Sequence, residues 1–134
     1  MKLIKVKRDL EKVKSILEMV ELIEIRKNLG DKNKLFPLIL SDYYEIIKEL
    51  STALLLCRGF KTLSHIDLLE YIKKKFSEFD PQEKNILDRL RIFRNRSVYE
   101  GFKIPKEYLD NNESYFKGII KKLKFLIIKE IKRG

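Results

Sequence analysis

Chain-breaking residues are rare in this sequence, and that scarcity limits its fold more than any other feature. Five glycines and three prolines serve 134 residues. Gly30, Gly59 and Gly101, with Pro37, Pro81 and Pro105, stand far apart and cut the chain into a few long stretches. Within each stretch the apolar residues return every three or four positions, and no alternation of apolar and polar residues lasts beyond a few positions. A chain with so few turns forms long helices in preference to many short strands. The expected fold is therefore all-α, a compact antiparallel bundle of four to five helices. It is expected to form one domain over residues 1–134.

The helix limits follow from local signals. Residues Leu3 to Asn28 read as a first amphipathic helix, with Leu10, Val13, Ile16, Leu17, Val20 and Ile23 on one face and Gly30 as its stop. A second helix is expected from about Lys34 to Arg58, with Pro37 in its first turn, where a missing N–H costs little. Ser64-His65-Ile66-Asp67 has capping-box spacing and opens a third helix. Asp80-Pro81-Gln82-Glu83 is a stronger start for a fourth, which Gly101 ends. Pro105 is expected to open a short helical turn to Asp110, with a break at Asn111-Asn112 before a last helix through Ile131.

Charge has two readings. The net charge of +10 draws phosphate-bearing partners to the surface. A composition rich in Lys, Glu and Ile, with Gln82 as the only Gln and no Trp, is also that of heat-adapted proteins, whose surfaces carry ion-pair networks. Cys57 is the only cysteine, which excludes an intrachain disulfide and a cysteine-based zinc site; its apolar neighbours predict a buried thiol. No Glu-x-x-His pair marks a metal-binding bundle, and no metal or cofactor is expected. The N-terminus is broken by Lys5, Lys7, Arg8, Asp9 and Glu11, unlike a secretory signal, and nothing resembles a membrane span, so the expected location is cytoplasmic.

Chemistry concentrates between Arg89 and Gly101, where Arg89, Arg91, Arg94 and Arg96 crowd the end of one helix. Guanidinium groups are fork-shaped donors suited to phosphate oxygens. At about 100° per residue, Arg91, Arg94, Asn95 and Val98 share a broad face, while Arg89 and Arg96 fall on another side. Cations at a helix C-terminus are also favoured by the macrodipole and by neighbouring carboxylates, so both a phosphate site and a structural role fit this pattern.

Arg94, Asn95, the spacer Arg96-Ser97-Val98 and Tyr99 resemble the signature of the HEPN family of helical bundles. That signature is Arg, a polar residue, three more residues, then His. Ser41 to Glu49 followed by Ala53 to Leu56, and the turn Gly59 to His65, are similar to the second helix and next turn of archaeal members. The resemblance runs from about Leu35 to the C-terminus. It implies a homodimer whose signature residues line a cleft between subunits. It also implies a metal-independent endoribonuclease, often a toxin, or a partner of a small nucleotidyltransferase. In active members the arginine clamps the scissile phosphate and the histidine moves a proton. Here Tyr99 stands in the histidine's place. A tyrosine, with an ordinary pKa near 10 against about 6.5 for histidine, is a poor base at neutral pH, but it donates hydrogen bonds and stacks on bases.

The candidate catalytic residues are therefore Arg94 and Tyr99, with Asn95, Arg91, Arg96 and Tyr43 as candidate ligand-binding residues. Two further groups carry open alternatives. His65, the only histidine, is either an exposed first-turn residue or a replacement proton carrier, if the fold brings it to Arg94. Tyr43 and Tyr44 are either a buried aromatic pair or a stacking platform, with Asp42 or Glu45 orienting Arg94. Lys117, Lys121, Lys122, Lys124, Lys129 and Lys132 fit a solvated face or a phosphate track. The expected ligand is RNA or a nucleotide. Against a ribonuclease stand a non-catalytic module that binds RNA, nucleotide or a nucleotidyltransferase, and a purely structural dimer.

Overall fold

The computed structural model describes residues 1–101 and 103–133, apart from the side chain of Tyr99. Five helices make an all-α bundle: α1 (Leu10–Leu29), α2 (Phe36–Cys57), α3 (His65–Lys75), α4 (Pro81–Glu100) and α5 (Lys106–Arg133). Apolar residues surround α2 on nearly every side. Ile39, Leu40, Ile46, Ile47, Leu50 and Leu54 are all buried, as they must be in a helix at the centre of a bundle. Its main packing partners are α1 and α5, and it also meets α3 and α4. One continuous core joins residues from all five helices.

Three of the expected caps form. The Ser64 side chain accepts from the Asp67 N–H, but the box is not closed, because the Ser64 N–H donates to Thr62 Oγ1 and the Asp67 carboxylate accepts from the Lys2 N–H. Asp80 accepts from the Glu83 N–H at 2.8 Å. Glu83 returns the contact to the Asp80 N–H at 3.0 Å, which completes a capping box at the start of α4. Gly101 ends α4 with φ of 66°, a left-handed conformation in which a Cβ would be strained.

Two expectations at the chain's margins are corrected. The first helix starts at Leu10 instead of Leu3, because Asp9 caps it by accepting from the Lys12 N–H. The residues before it form a two-residue strand, β1 (Ile4–Lys5), antiparallel to β2 (Phe60–Lys61). Gly59 makes this pairing possible. Its φ is 83°, and its carbonyl accepts from the Val6 N–H at 2.9 Å. The second correction concerns Asn111-Asn112, where no break occurs and α5 runs unbroken from Lys106 to Arg133. The Asn112 amide donates to the Tyr108 carbonyl one turn back at 2.8 Å, so its polar side chain is satisfied within the helix and does not recap it.

Candidate functional site

The cap at Asp80 sets the phase of α4. From there Ile86, Leu87 and Leu90 point into the core. One turn after Leu90, the same stripe reaches Arg94, so a guanidinium stands where the next core side chain would lie. It is half-buried and rests on α2. The Arg94 Cζ lies 5.4 Å from the centre of the Tyr44 ring, within the range of a cation–π contact. One of its terminal nitrogens donates to the Asn95 carbonyl oxygen at 3.3 Å.

Arg94 also forms part of the wall of a cavity of about 260 Å³ between α2 and the end of α4. Its remaining lining is largely apolar and includes Pro37, Leu38, Val98 and Ile104, with the hydroxyls of Ser41 and Ser97. A neighbouring hollow of about 380 Å³ shares Pro37, Ser97 and Ile104 and adds Lys103. A slot with apolar walls and a cation at its edge suits a ligand that is part flat ring and part anion.

Tyr44 also joins this arrangement to α3. Its hydroxyl lies 3.0 Å from His65 Nδ1, and the two ring centres are 6.1 Å apart. The imidazole is therefore held at one end of the ring that Arg94 covers. Burial, with Lys48 adding to it, holds His65 below the usual histidine range; Glu45 opposes this, and Arg94 and Arg91 push it further down.

The structure gathers only some of the expected residues. Arg91, Arg94 and Asn95 share one side of α4, and Arg91 joins Arg94 in the field at His65. Arg96 is exposed and pairs with Glu100 at 3.5 Å, one turn along its own helix. Arg89 lies on another side, near Tyr108. Tyr99 belongs to α4, and its side chain lies outside the described residues.

Tyr43 is not brought to Arg94. Adjacent helical positions diverge by about 100°, so Tyr43 and Tyr44 leave α2 toward different flanks. The Tyr43 hydroxyl donates to Glu113 on α5 at 2.6 Å, and Lys27 of α1 lies 4.4 Å from the centre of its ring. Both tyrosines are buried, as an aromatic pair in the core would be, so neither presents an open face to a base. The acids beside them have partners of their own. Asp42 pairs with Arg26 at 2.6 Å, and Glu45 with Lys48 at 2.5 Å.

Helical periodicity cannot tell which of two adjacent tyrosines faces α4, so the contact of Tyr44 with Arg94 was not legible in the sequence. His65 is an exposed residue in the first turn of α3, one of its two expected places, and it touches the Tyr44 hydroxyl. Among the described residues, no three His, Cys, Asp or Glu side chains are grouped as metal ligands would be. No protein-family model matches the chain, and no curated protein matches it.

Proposed function

We propose that this protein is a HEPN-like domain that binds the phosphate of RNA or of a nucleotide at the α2–α4 cavity, with Arg94 as the principal anion ligand. The observation that carries this reading is the position of Arg94. Its guanidinium lies across a buried tyrosine at the wall of an apolar slot. Tyr44 holds the planar group in place, and a preordered guanidinium loses less entropy when it grips an oxyanion. The slot beside it offers apolar contact to a base or sugar, and Asn95 adds an amide next to the guanidinium. The +10 surface raises the local concentration of such ligands.

Tyr99 in the place of the signature histidine favours a binding module over a nuclease, because a phenol of ordinary pKa is a weak proton acceptor at neutral pH. The resemblance adds a homodimer to this reading. In that dimer the signature residues line a cleft between subunits, and Leu38 and Val98, exposed at the cavity beside Arg94, are the apolar side chains such a seam would cover. A nucleotidyltransferase is the protein partner that the same resemblance implies.

The test is binding and cleavage of a labelled single-stranded RNA by wild type and Arg94→Ala in the presence of EDTA, with the oligomeric state followed by sedimentation velocity. We expect salt-sensitive binding that weakens by about tenfold or more in Arg94→Ala, the scale of one charge-assisted contact. Cleavage lost with Arg94 identifies the ribonuclease. Equal binding by both proteins removes Arg94 from the site and overturns the reading.

A further inference from the structure

We propose that Lys27 and Lys117 hold a phosphate group in the cavity between the C-terminal end of α1 and α5, with the rest of the phosphorylated molecule lying against Leu35 and Ile39. This site is separate from the one at Arg94, and the two cavities have no wall residue in common.

The cavity has a volume of about 280 Å³. Lys27 and Asn28 come to it from the last turns of α1, Gly30 and Lys32 from the link to α2, and Glu113 and Lys117 from α5. Its wall therefore carries three ammonium groups against one carboxylate. That carboxylate is engaged: Glu113 accepts from Lys32 and, at 2.6 Å, from the Tyr43 hydroxyl. The other acids nearby are engaged as well. Asp42 pairs with Arg26 at 2.6 Å, and Glu24 with Lys124 at 2.6 Å. Asp110 is 3.9 Å from Lys32 but closer to Lys106, at 3.1 Å. The charge left over is that of Lys27 and Lys117, neither of which has a carboxylate partner among the described residues.

Lys27 is held in place for this task. Its Nζ lies 4.4 Å from the centre of the Tyr43 ring, donates to Asn28 Oδ1 at 2.9 Å, and reaches the Tyr43 hydroxyl at 3.4 Å. An ammonium has three donors, so one remains for a ligand in the cavity. Burial holds this lysine below its usual range; Glu113 opposes that, and Lys117 adds to it. Two like charges that share a wall repel one another, and an oxyanion between them turns the repulsion into two attractions. Lysine meets phosphate as a point charge, so ammonium groups from two helices can share one phosphate without a fixed fork geometry.

The hollow next door indicates the chemical class. It has a volume of about 420 Å³, shares Lys27, Gly30 and Ile39 with the lysine-lined cavity, and adds Leu35 and the Arg26–Asp42 pair. A molecule with a phosphate at one end and a flat or apolar body at the other spans both spaces, whereas free phosphate fills only the first.

The test is an NMR titration. The backbone amides of Gly30 and Lys32 report this cavity, and that of Ser97 reports the Arg94 cavity. Inorganic phosphate, adenosine 5′-monophosphate and adenosine are added at constant ionic strength. We expect phosphate to shift Gly30 and Lys32 to saturation, and the monophosphate to saturate them at a several-fold lower concentration than phosphate or adenosine. Lys27→Met and Lys117→Gln should each weaken binding by about tenfold, the scale of one charge-assisted contact, and leave any response of Ser97 unchanged. Lys117 is exposed, so its variant tests the site without disturbing the core. Gly30 and Lys32 resonances that stay still, or that respond equally in both variants, overturn the site whatever Ser97 does. Equal affinity for phosphate and the monophosphate overturns the organic body and makes free phosphate the ligand.

Discussion

A single side chain in the middle of α2 shows how residue-level chemistry sets local stability. Ser51 is completely buried, and its hydroxyl has no hydrogen-bond partner among the described residues. Burying an unpaired hydroxyl is costly, and alanine is the better helix former. Ser51→Ala is therefore expected to stabilise the protein by about 0.5–1 kcal/mol, read as a higher urea midpoint at unchanged slope. A lower midpoint would mean that the hydroxyl has a buried water as partner. Glu130 is a mixed case, with Oε1 hydrogen-bonded and Oε2 without a hydrogen-bond partner among the described residues. Although it is buried, its carboxylate accepts from Arg58 at 3.1 Å and lies 3.5 Å from Arg133. A buried charge with such partners holds one arrangement of side chains more than it adds net stability.

For whole elements, α4 matters most, because its phase decides whether Arg94 faces α2. Its start is over-determined. Asp80 and Glu83 cap reciprocally, Pro81 occupies the first helical position, and Lys122 of α5 reaches Glu83 at 2.5 Å. Glu83 is buried and serves two partners, whereas Asp80 is exposed and serves one. The cap substitution Asp80→Ala should cost about 1 kcal/mol. Glu83→Ala should cost more, about 2 kcal/mol, since it also removes the charged contact to Lys122, which keeps only the Glu78 carbonyl, and opens a small cavity between α4 and α5. Paired chemical denaturation of the two variants checks the order, and the reverse order would show that the α4–α5 contact contributes little. The start of α4 was legible in the sequence because caps are local chemistry. The unbroken course of α5 through Asn112 was not, since an asparagine at that position recaps or continues a helix according to what packs against it.

At the scale of the whole molecule, acid should lower the stability of the fold over two separate pH windows. His65 titrates below the usual histidine range, mainly through burial and the cations around it, so the unfolded chain takes up that proton first. Stability is then at its plateau above about pH 6.5 and falls as the pH drops below it. Glu70 titrates low because Lys73 hydrogen-bonds to it. Burial pushes Glu113 upward, but the hydrogen bonds from Lys32 and Tyr43 outweigh it and hold this carboxyl low too. Both contribute stability that is full above about pH 4.5 and is lost as the pH falls through their folded values. A urea midpoint measured against pH in chloride buffer should fall in these two windows, and His65→Gln should remove the upper one alone. An unchanged upper window in that variant would assign the step to another group. Sequence alone determined that the chain is a bundle of long helices, most of their limits and the crowding of arginines at the end of α4, because periodicity, caps and chain-breakers act within a few residues. Only the tertiary structure decided that Tyr44 and not Tyr43 meets Arg94, that His65 meets the Tyr44 hydroxyl, and that the N-terminus pairs with residues 60–61. Those outcomes depend on how helices distant in sequence rotate and dock to bury their apolar faces, which no local pattern encodes.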